Sequence, residues 1–187
     1  MSKKGRNLQK KKTSILNENS IQENVVLDFS FDTVWISIKH KEFTNYLEDD
    51  NEFFKMHRII FKDILPILSR VIYKYPHDFI RQISYEGLPH SHEVDSDHKK
   101  IVKDILVQIH MKKGGEKKQS EDFVNQNIGE ERIYQIGHTS IRIFGYFKEN
   151  IFVVLMVDYH HLVYPNKIHY NEKDYSNFKM CPIERGK

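Results

Sequence analysis

Cysteine occurs once in this chain, as Cys181. A lone thiol excludes an internal disulfide framework and any zinc site built on several cysteines, and it fits a reducing compartment. Long apolar runs are also missing. No stretch reaches the length of a membrane span, and the basic N-terminus leads into polar residues rather than the apolar core of a signal peptide. A cytoplasmic protein with no membrane partner is therefore expected. The patterns G-x-x-x-x-G-K-[ST], G-x-G-x-x-G and G-x-S-x-G are absent too, which leaves nucleoside-triphosphate, dinucleotide and serine-hydrolase chemistry without a basis.

What is present is enough apolar material for one core. Hydrophobic residues make up 39% and aromatics 12% of 187 residues, against 29% charged. The net charge of +3 is unevenly placed, because Lys3, Lys4, Arg6, Lys10, Lys11 and Lys12 crowd the first dozen positions. Such an arm suits a polyanion, and these six residues are the candidate nucleic-acid contacts; a simply solvated terminus has the same composition. Residues 1–22 carry too little apolar surface to offset chain entropy and are expected to be a disordered basic tail, with residues 23–187 forming a single α+β domain.

Within that domain the pattern changes twice. Val25, Leu27, Phe29 and Phe31 alternate with polar residues, which predicts a strand, and residues 35–38 add a second short one or a continuation. From Asp49 onward Phe53, Met56, Ile60, Ile64, Ile67 and Val71 recur at helical spacing, with Pro66 predicting a kink or two abutting helices and Pro76 an end. A second helix, capped by Ser96 or Asp97, carries Ile101, Val102, Ile105, Leu106 and Ile109 and stops at Gly114. Residues 112–131 read as a polar, mobile connection. Three strands follow, beginning at residues 132–136. An antiparallel sheet, made of the N-terminal strand and a C-terminal three-strand meander, packed against two helices is the economical arrangement.

The last hairpin, residues 141–157, runs into Asp158, Tyr159, His160 and His161, so a rigid scaffold ends in a carboxylate, a phenol and two imidazoles. These four are the candidate catalytic residues and Arg142 the candidate phosphate-binding residue. Hairpin register decides which of them meet. A three-residue loop at 148–150 puts Arg142 on the face of Asp158 and His160, whereas a two-residue loop at 149–150 puts it with Tyr159 and His161. Either register brings an arginine near an imidazole, the minimum for cleaving RNA through its 2′-hydroxyl without a metal or other cofactor. A structural Arg142–Asp158 ion pair is the competing explanation. His138, beside Gly137, stands at the hairpin entry and can join the cluster. A second constellation, His90, His92 and Asp95, has the alternating look of a metal site, although acidic and histidine residues before a helix are also ordinary turn and capping chemistry. His57 and His110 fit packing or helix-end roles.

Gly87-Leu-Pro-His-Ser-His-Glu-Val-Asp95, Arg142-Ile-Phe-Gly-Tyr-Phe and Asn150-Ile-Phe-Val-Val-Leu-Met-Val-Asp158-Tyr-His-His161-Leu-Val-Tyr-Pro165 resemble segments of small, uncharacterised bacterial and phage-associated proteins. Their shared pattern is a His-x-x-Asp loop and a closing Arg-Ile-x-Gly-Phe hairpin followed by Asp-x-x-His-x-Leu-Tyr-Pro, over roughly residues 25–166 here. In element order the chain is also similar to the RelE/HigB-like toxins. That likeness implies an endoribonuclease acting on RNA in the form of ribosome-bound mRNA, with an antitoxin or defence-complex protein as partner. It further implies phosphate binding by Arg142, base contact by Tyr159, and acid/base roles for Asp158, His160 or His161. The length of the chain and its long helix depart from those toxins. The reading from another class is a non-catalytic nucleic-acid- or protein-binding subunit of a bacterial defence or mobile-element complex.

Overall fold

A computed structural model describes residues 23–40, 43–165 and 178–182, so the basic arm from Lys3 to Lys12 lies outside the described residues. In chain order the domain opens with β1 (Glu23–Asn24) and β2 (Val26–Asp28), a 3₁₀ turn (Asp32–Trp35), β3 (Lys39–His40) and β4 (Phe43–Thr44). Helix α1 (Asp50–Ile59) passes through a π-helical turn (Ile60–Ile64) into α2 (Leu65–Leu68). Then come β5 (Ile72–Tyr73), α3 (Pro76–Tyr85), β6 (His92–Glu93), α4 (Ser96–Lys112), α5 (Lys117–Ile128), β7 (Ile133–Gly137), β8 (Arg142–Lys148) and β9 (Ile151–Asp158).

The expected meander is β7-β8-β9, and it forms the middle of a five-stranded sheet of order β2-β9-β8-β7-β6. Against expectation β2 runs parallel to β9, with Val26 opposite Ile151, so the sheet is mixed rather than wholly antiparallel. The edge of β9 accepts it through the hairpin tip, where Val26 N–H donates to the Asn150 carbonyl and Asn150 Nδ2 donates to the Asn24 carbonyl. On the far edge β6, which lies in a stretch that reads as loop, pairs with β7. Of residues 35–38, expected as strand or a continuation, Trp35 closes the 3₁₀ turn and Ile36 follows it in extended backbone, with no strand between the turn and β3.

Both sheet faces are covered, which is why the strands read as nearly continuous apolar runs. Tyr134, Ile136, Ile143, Phe152 and Val154 pack on one face against Met56, Ile64, Phe79 and Ile83 of the α1–α3 layer. Ile133, Phe144, Leu155 and Met156 pack on the other against Val102, Ile105, Leu106 and Ile109 of α4 and Val124 and Ile128 of α5. Each such side chain contributes on the order of 2 kcal/mol by leaving water.

Pro66 is accommodated as two abutting segments. It cannot donate to the carbonyl one turn back, so the chain widens into the π turn before it and restarts at α2 with Pro66 in the first turn. Helix α5 replaces the mobile connection expected over 112–131. Its polar composition hides a narrow stripe of Ser120, Val124 and Ile128, all buried, behind a capping box of Glu116 and Gln119. His110 is a packing residue there, stacked on Phe123 at 4.3 Å and bonded to Ser120 Oγ at 3.0 Å. The cap of α4 is Asp95, one residue earlier than expected. Among the described residues no helix is long and apolar enough to cross a membrane.

The hairpin has the two-residue loop, because Lys148 pairs with Ile151, and Glu149 adopts a left-handed φ of 57° there. Even so, Arg142 ends opposite Asp158, and so on the face of Asp158 that the longer loop implied, although that loop would have set it opposite Met156. The register shifts between Phe144 and Gly145, where Phe144 pairs with Met156 and Gly145 with Val154, leaving Leu155 as an extra, bulged residue. Gly145 is required beside it, since a Cβ would collide with the Val153 carbonyl and the Phe152 ring. The carbonyl of the bulged Leu155 accepts from the buried Thr33 hydroxyl at 2.7 Å. Thr33→Val keeps the shape of the side chain and removes this donor. It is expected to lower unfolding free energy by about 1–3 kcal/mol, measured by urea denaturation.

Candidate functional site

The four residues after β9 face different surroundings. Asp158 is fully buried and its two oxygens accept from the backbone N–H groups of His160 at 2.9 Å and Val163 at 3.0 Å. Burial raises its pKa while those hydrogen bonds pull it down. It stands opposite Arg142 in the ladder and holds the turn that follows the strand. His160 donates from Nε2 to the Tyr46 carbonyl at 2.7 Å and stacks on Phe178 at 4.7 Å, so its ring anchors neighbouring chain. Tyr159 faces an apolar cavity on the α1 side, and burial pushes its hydroxyl up to about 12.

His161 lies within reach of the Arg142 charge. It adopts a left-handed φ of 57° immediately after the turn and is buried. Burial, then the charges of Arg142 and His90, pull its pKa down to about 4. His90 is exposed, yet desolvation followed by Arg142, His92 and His138 lowers it as well. The two constellations that lie far apart in sequence are thus one cluster at one end of the sheet. Arg142 is buried, with Nη1 donating to the carbonyls of His138 and Ile141. Its guanidinium is therefore fixed by backbone contacts at the entry of β8. His138 adds a third imidazole, 3.9 Å from Asp63 on the π turn.

What brings the His90 loop to this end is β7. Gln135 is a buried polar residue in an otherwise apolar strand, and its Nε2 donates to the His90 carbonyl at 2.6 Å and to His92 Nε2 at 3.2 Å. The acceptor role of that nitrogen follows from His92 Nδ1, which gives its proton to the Glu93 carbonyl at 2.9 Å. Ser91 Oγ accepts from Gly137 N–H at 3.1 Å. A Cβ on Gly137 would lie 2.5 Å from the His90 carbonyl, so the loop can approach only because this position is glycine. Gln135, Gly137 and Asp63 were not identified from sequence. The one usable signal was the polar Gln135 within the apolar run of β7.

Among the described residues His90, His92 and Asp95 are not grouped so as to hold a metal ion. Both His92 nitrogens are engaged, and the Asp95 carboxylate caps α4, accepts from His98 Nδ1 at 2.7 Å and from the Tyr164 hydroxyl at 3.1 Å. The His98 backbone N–H bond is the main cause holding Asp95 down at about 2. Among the described residues no group of three or more His, Cys, Asp or Glu side chains is placed to hold a metal ion. What the cluster offers is one fixed cation beside imidazoles, of which His90 and His161 are held below the usual histidine range, a setting that attracts an anion and can exchange protons with it.

The fold and the site together define an α+β domain with a mixed sheet between two helical layers and an arginine–histidine cluster at the sheet end. The chain belongs to the family described as Uncharacterised protein UU032, whose model matches residues 30–187. It is similar to Uncharacterized protein UU032 of Ureaplasma parvum serovar 3 (strain ATCC 700970), with 27% identity over 192 residues that cover 99% of this chain and 96% of the relative. No solved structure matches it. The bacterial family implied by the hairpin resemblance is therefore found at that level.

Two measurements check the roles assigned above. Asparagine at 158 has a single acceptor oxygen where Asp158 uses two. Asp158→Asn is expected to cost about 1–3 kcal/mol in urea unfolding, an effect on stability through the turn. His161 has a folded pKa below its unfolded value, so between about pH 6.5 and about 4 the unfolded chain binds the extra proton. Its contribution to stability is present above that window and is lost as the pH falls through it. His161→Asn tolerates the left-handed backbone and is expected to flatten the decline in melting temperature across that window.

Proposed function

We propose that this protein is a metal-independent endoribonuclease of the toxin or phage-defence type, acting at the arginine–histidine cluster. The observation that carries the reading is the gathering of His90, His138 and His161 around the buried Arg142. Burial and the arginine charge hold His90 and His161 uncharged, so the cluster has a fixed positive charge and bases ready to accept protons. A phosphodiester supplies the opposing charge. Once bound, it favours the protonated imidazole, so that one ring can accept a proton while another donates one.

In this scheme Arg142 attracts the phosphoryl oxygens and His161 lies behind them. His90 and His138, which are less buried, carry the proton transfers. One ring takes the 2′-hydroxyl proton as the 2′-oxygen attacks phosphorus. The other protonates the 5′-oxygen as its bond to phosphorus breaks, leaving a 2′,3′-cyclic phosphate. The similarity to RelE/HigB-like toxins supports the same substrate class, RNA, with a protein antitoxin as partner. Compared with the sequence expectation, the proton-transfer roles pass from Asp158, His160 or His161 to His90 and His138, because the side chains of Asp158 and His160 hold backbone and His161 is buried.

The full chain incubated with a single-stranded RNA in the presence of a chelator is expected to release cyclic-phosphate ends, and a 2′-deoxy substitution at the cut site is expected to block release. His90→Ala and His138→Ala are each expected to lower the rate about a hundredfold or more with the melting temperature unchanged. Intact RNA after incubation with the wild-type chain, or full activity in the double variant, would rule the reading out. A binding subunit is the second reading, favoured by large exposed aromatics such as Tyr85 at 85% and Tyr75 at 60%. It requires RNA to be held without being cut, and salt-sensitive affinity to fall when residues 1–22 are removed.

A further inference from the structure

The apolar cavity on the α1 side of β9 has a volume of about 260 Å³ and plays no part in the chemistry above. Its walls are mostly rings. Phe53, His57 and Phe61 recur at four-residue spacing along α1 and the π turn, with His57 3.9 Å from Phe53 and 6.5 Å from Phe61. Phe61, at the start of the π turn, is 64% exposed, an unusual position for so large an apolar ring. Tyr159 and Phe29 complete the aromatic lining.

Two polar groups set what the cavity accepts. His57 Nδ1 lies 2.9 Å from the Phe53 carbonyl, which can only accept, so Nδ1 carries a proton and the acceptor position of that tautomer is Nε2. Tyr159 supplies a hydroxyl donor, kept protonated by its burial. Asn45 is wall, because its amide is engaged by Ile38 N–H and the Ile36 carbonyl. Stacking rings with one donor and one acceptor match a planar heterocycle that presents both kinds of group on its edge, and they offer nothing of the kind to an alkyl chain.

Two short chain links connect the lining of the cavity to the cluster. Tyr159 is two residues from His161, at most about 7 Å of chain. Phe61 is two residues from Asp63, which lies 3.9 Å from His138. We infer that this cavity binds a single purine or pyrimidine base, placing the attached phosphate at the Arg142 cluster. The inference rests on the reading of the cluster as a phosphodiester site and adds the part of the substrate that is recognised.

The test titrates adenosine, guanosine, cytidine and uridine separately into the ¹⁵N-labelled full chain and follows amide shifts. Nucleosides carry no phosphate, so they report on the cavity and not on the cluster. At least one is expected to bind and to shift resonances around Phe61 and Tyr159. Phe61→Ala, at an exposed position, is expected to weaken it about tenfold, the order of one base–aromatic contact, and Tyr159→Phe, which removes only the hydroxyl, about fivefold, the order of one hydrogen bond. No binding at millimolar nucleoside, or binding unchanged in the double variant, would overturn the inference even if RNA is cleaved. Nucleoside binding without RNA cleavage would leave the cavity assignment standing and remove the nuclease. Tighter binding of a dinucleotide than of a nucleoside 5′-monophosphate identifies RNA as the source of the base, and the reverse order identifies a free nucleotide; either order upholds the inference.

Discussion

The pairing of β8 with β9 is the constraint on which the rest of the structure depends. Both strands are buried on both faces, so their register fixes which side chains enter the α1–α3 core and which enter the α4–α5 core. The bulge at Leu155 then moves every later residue of β9 by one step relative to β8. Without that step Arg142 would lie opposite Val157. With it, Arg142 lies opposite Asp158, and the turn that Asp158 holds carries His161 back to the arginine. Thr33, which bonds the Leu155 carbonyl, and Gly145, which makes room beside it, belong to the same device.

The second contribution comes from the opposite edge. A loop containing His90 has no reason of its own to lie at a sheet end, since its backbone polar groups would be better satisfied by water. Gln135 and Gly137 change that balance, one by donating to the His90 carbonyl and His92 ring, the other by having no Cβ where the loop passes. His90 and His161 are held below the usual histidine range for an electrostatic reason. A buried guanidinium nearby and the low polarizability of the interior both oppose a second cation. Such a group of rings gains protons when an anion arrives, which links the packing of the sheet to the proposed proton transfers.

How much of this was legible in the sequence differs from element to element. The meander was legible because strands buried on both faces leave continuous runs of β-branched and aromatic residues. The long interrupted helix was legible from the spacing of Met56, Ile60, Ile64 and Ile67 around Pro66. Helix α5 was missed because only a narrow stripe of it is buried, and its polar faces dominate a composition reading. The parallel placement of β2 was missed because pairing between distant segments leaves no local mark.

For the site, the residue types were legible and their grouping was not. Arg142, the histidines after β9 and the His90 loop could each be singled out as chemically capable. Period-two arithmetic cannot foresee a bulge, so each of the two registers describes half of the outcome: the short loop is present, and Arg142 shares the face of Asp158 as in the long-loop register. The sequence by itself determined an α+β domain with a buried hairpin and titratable groups at its end, because hydrophobic periodicity is a local property of the chain. Only the tertiary structure decided that Asp158 and His160 hold backbone, that Tyr159 lines a cavity, and that His161 meets His90 beside Arg142. Those relations depend on one extra residue in a ladder and one missing Cβ, and such features act between segments that sequence places far apart.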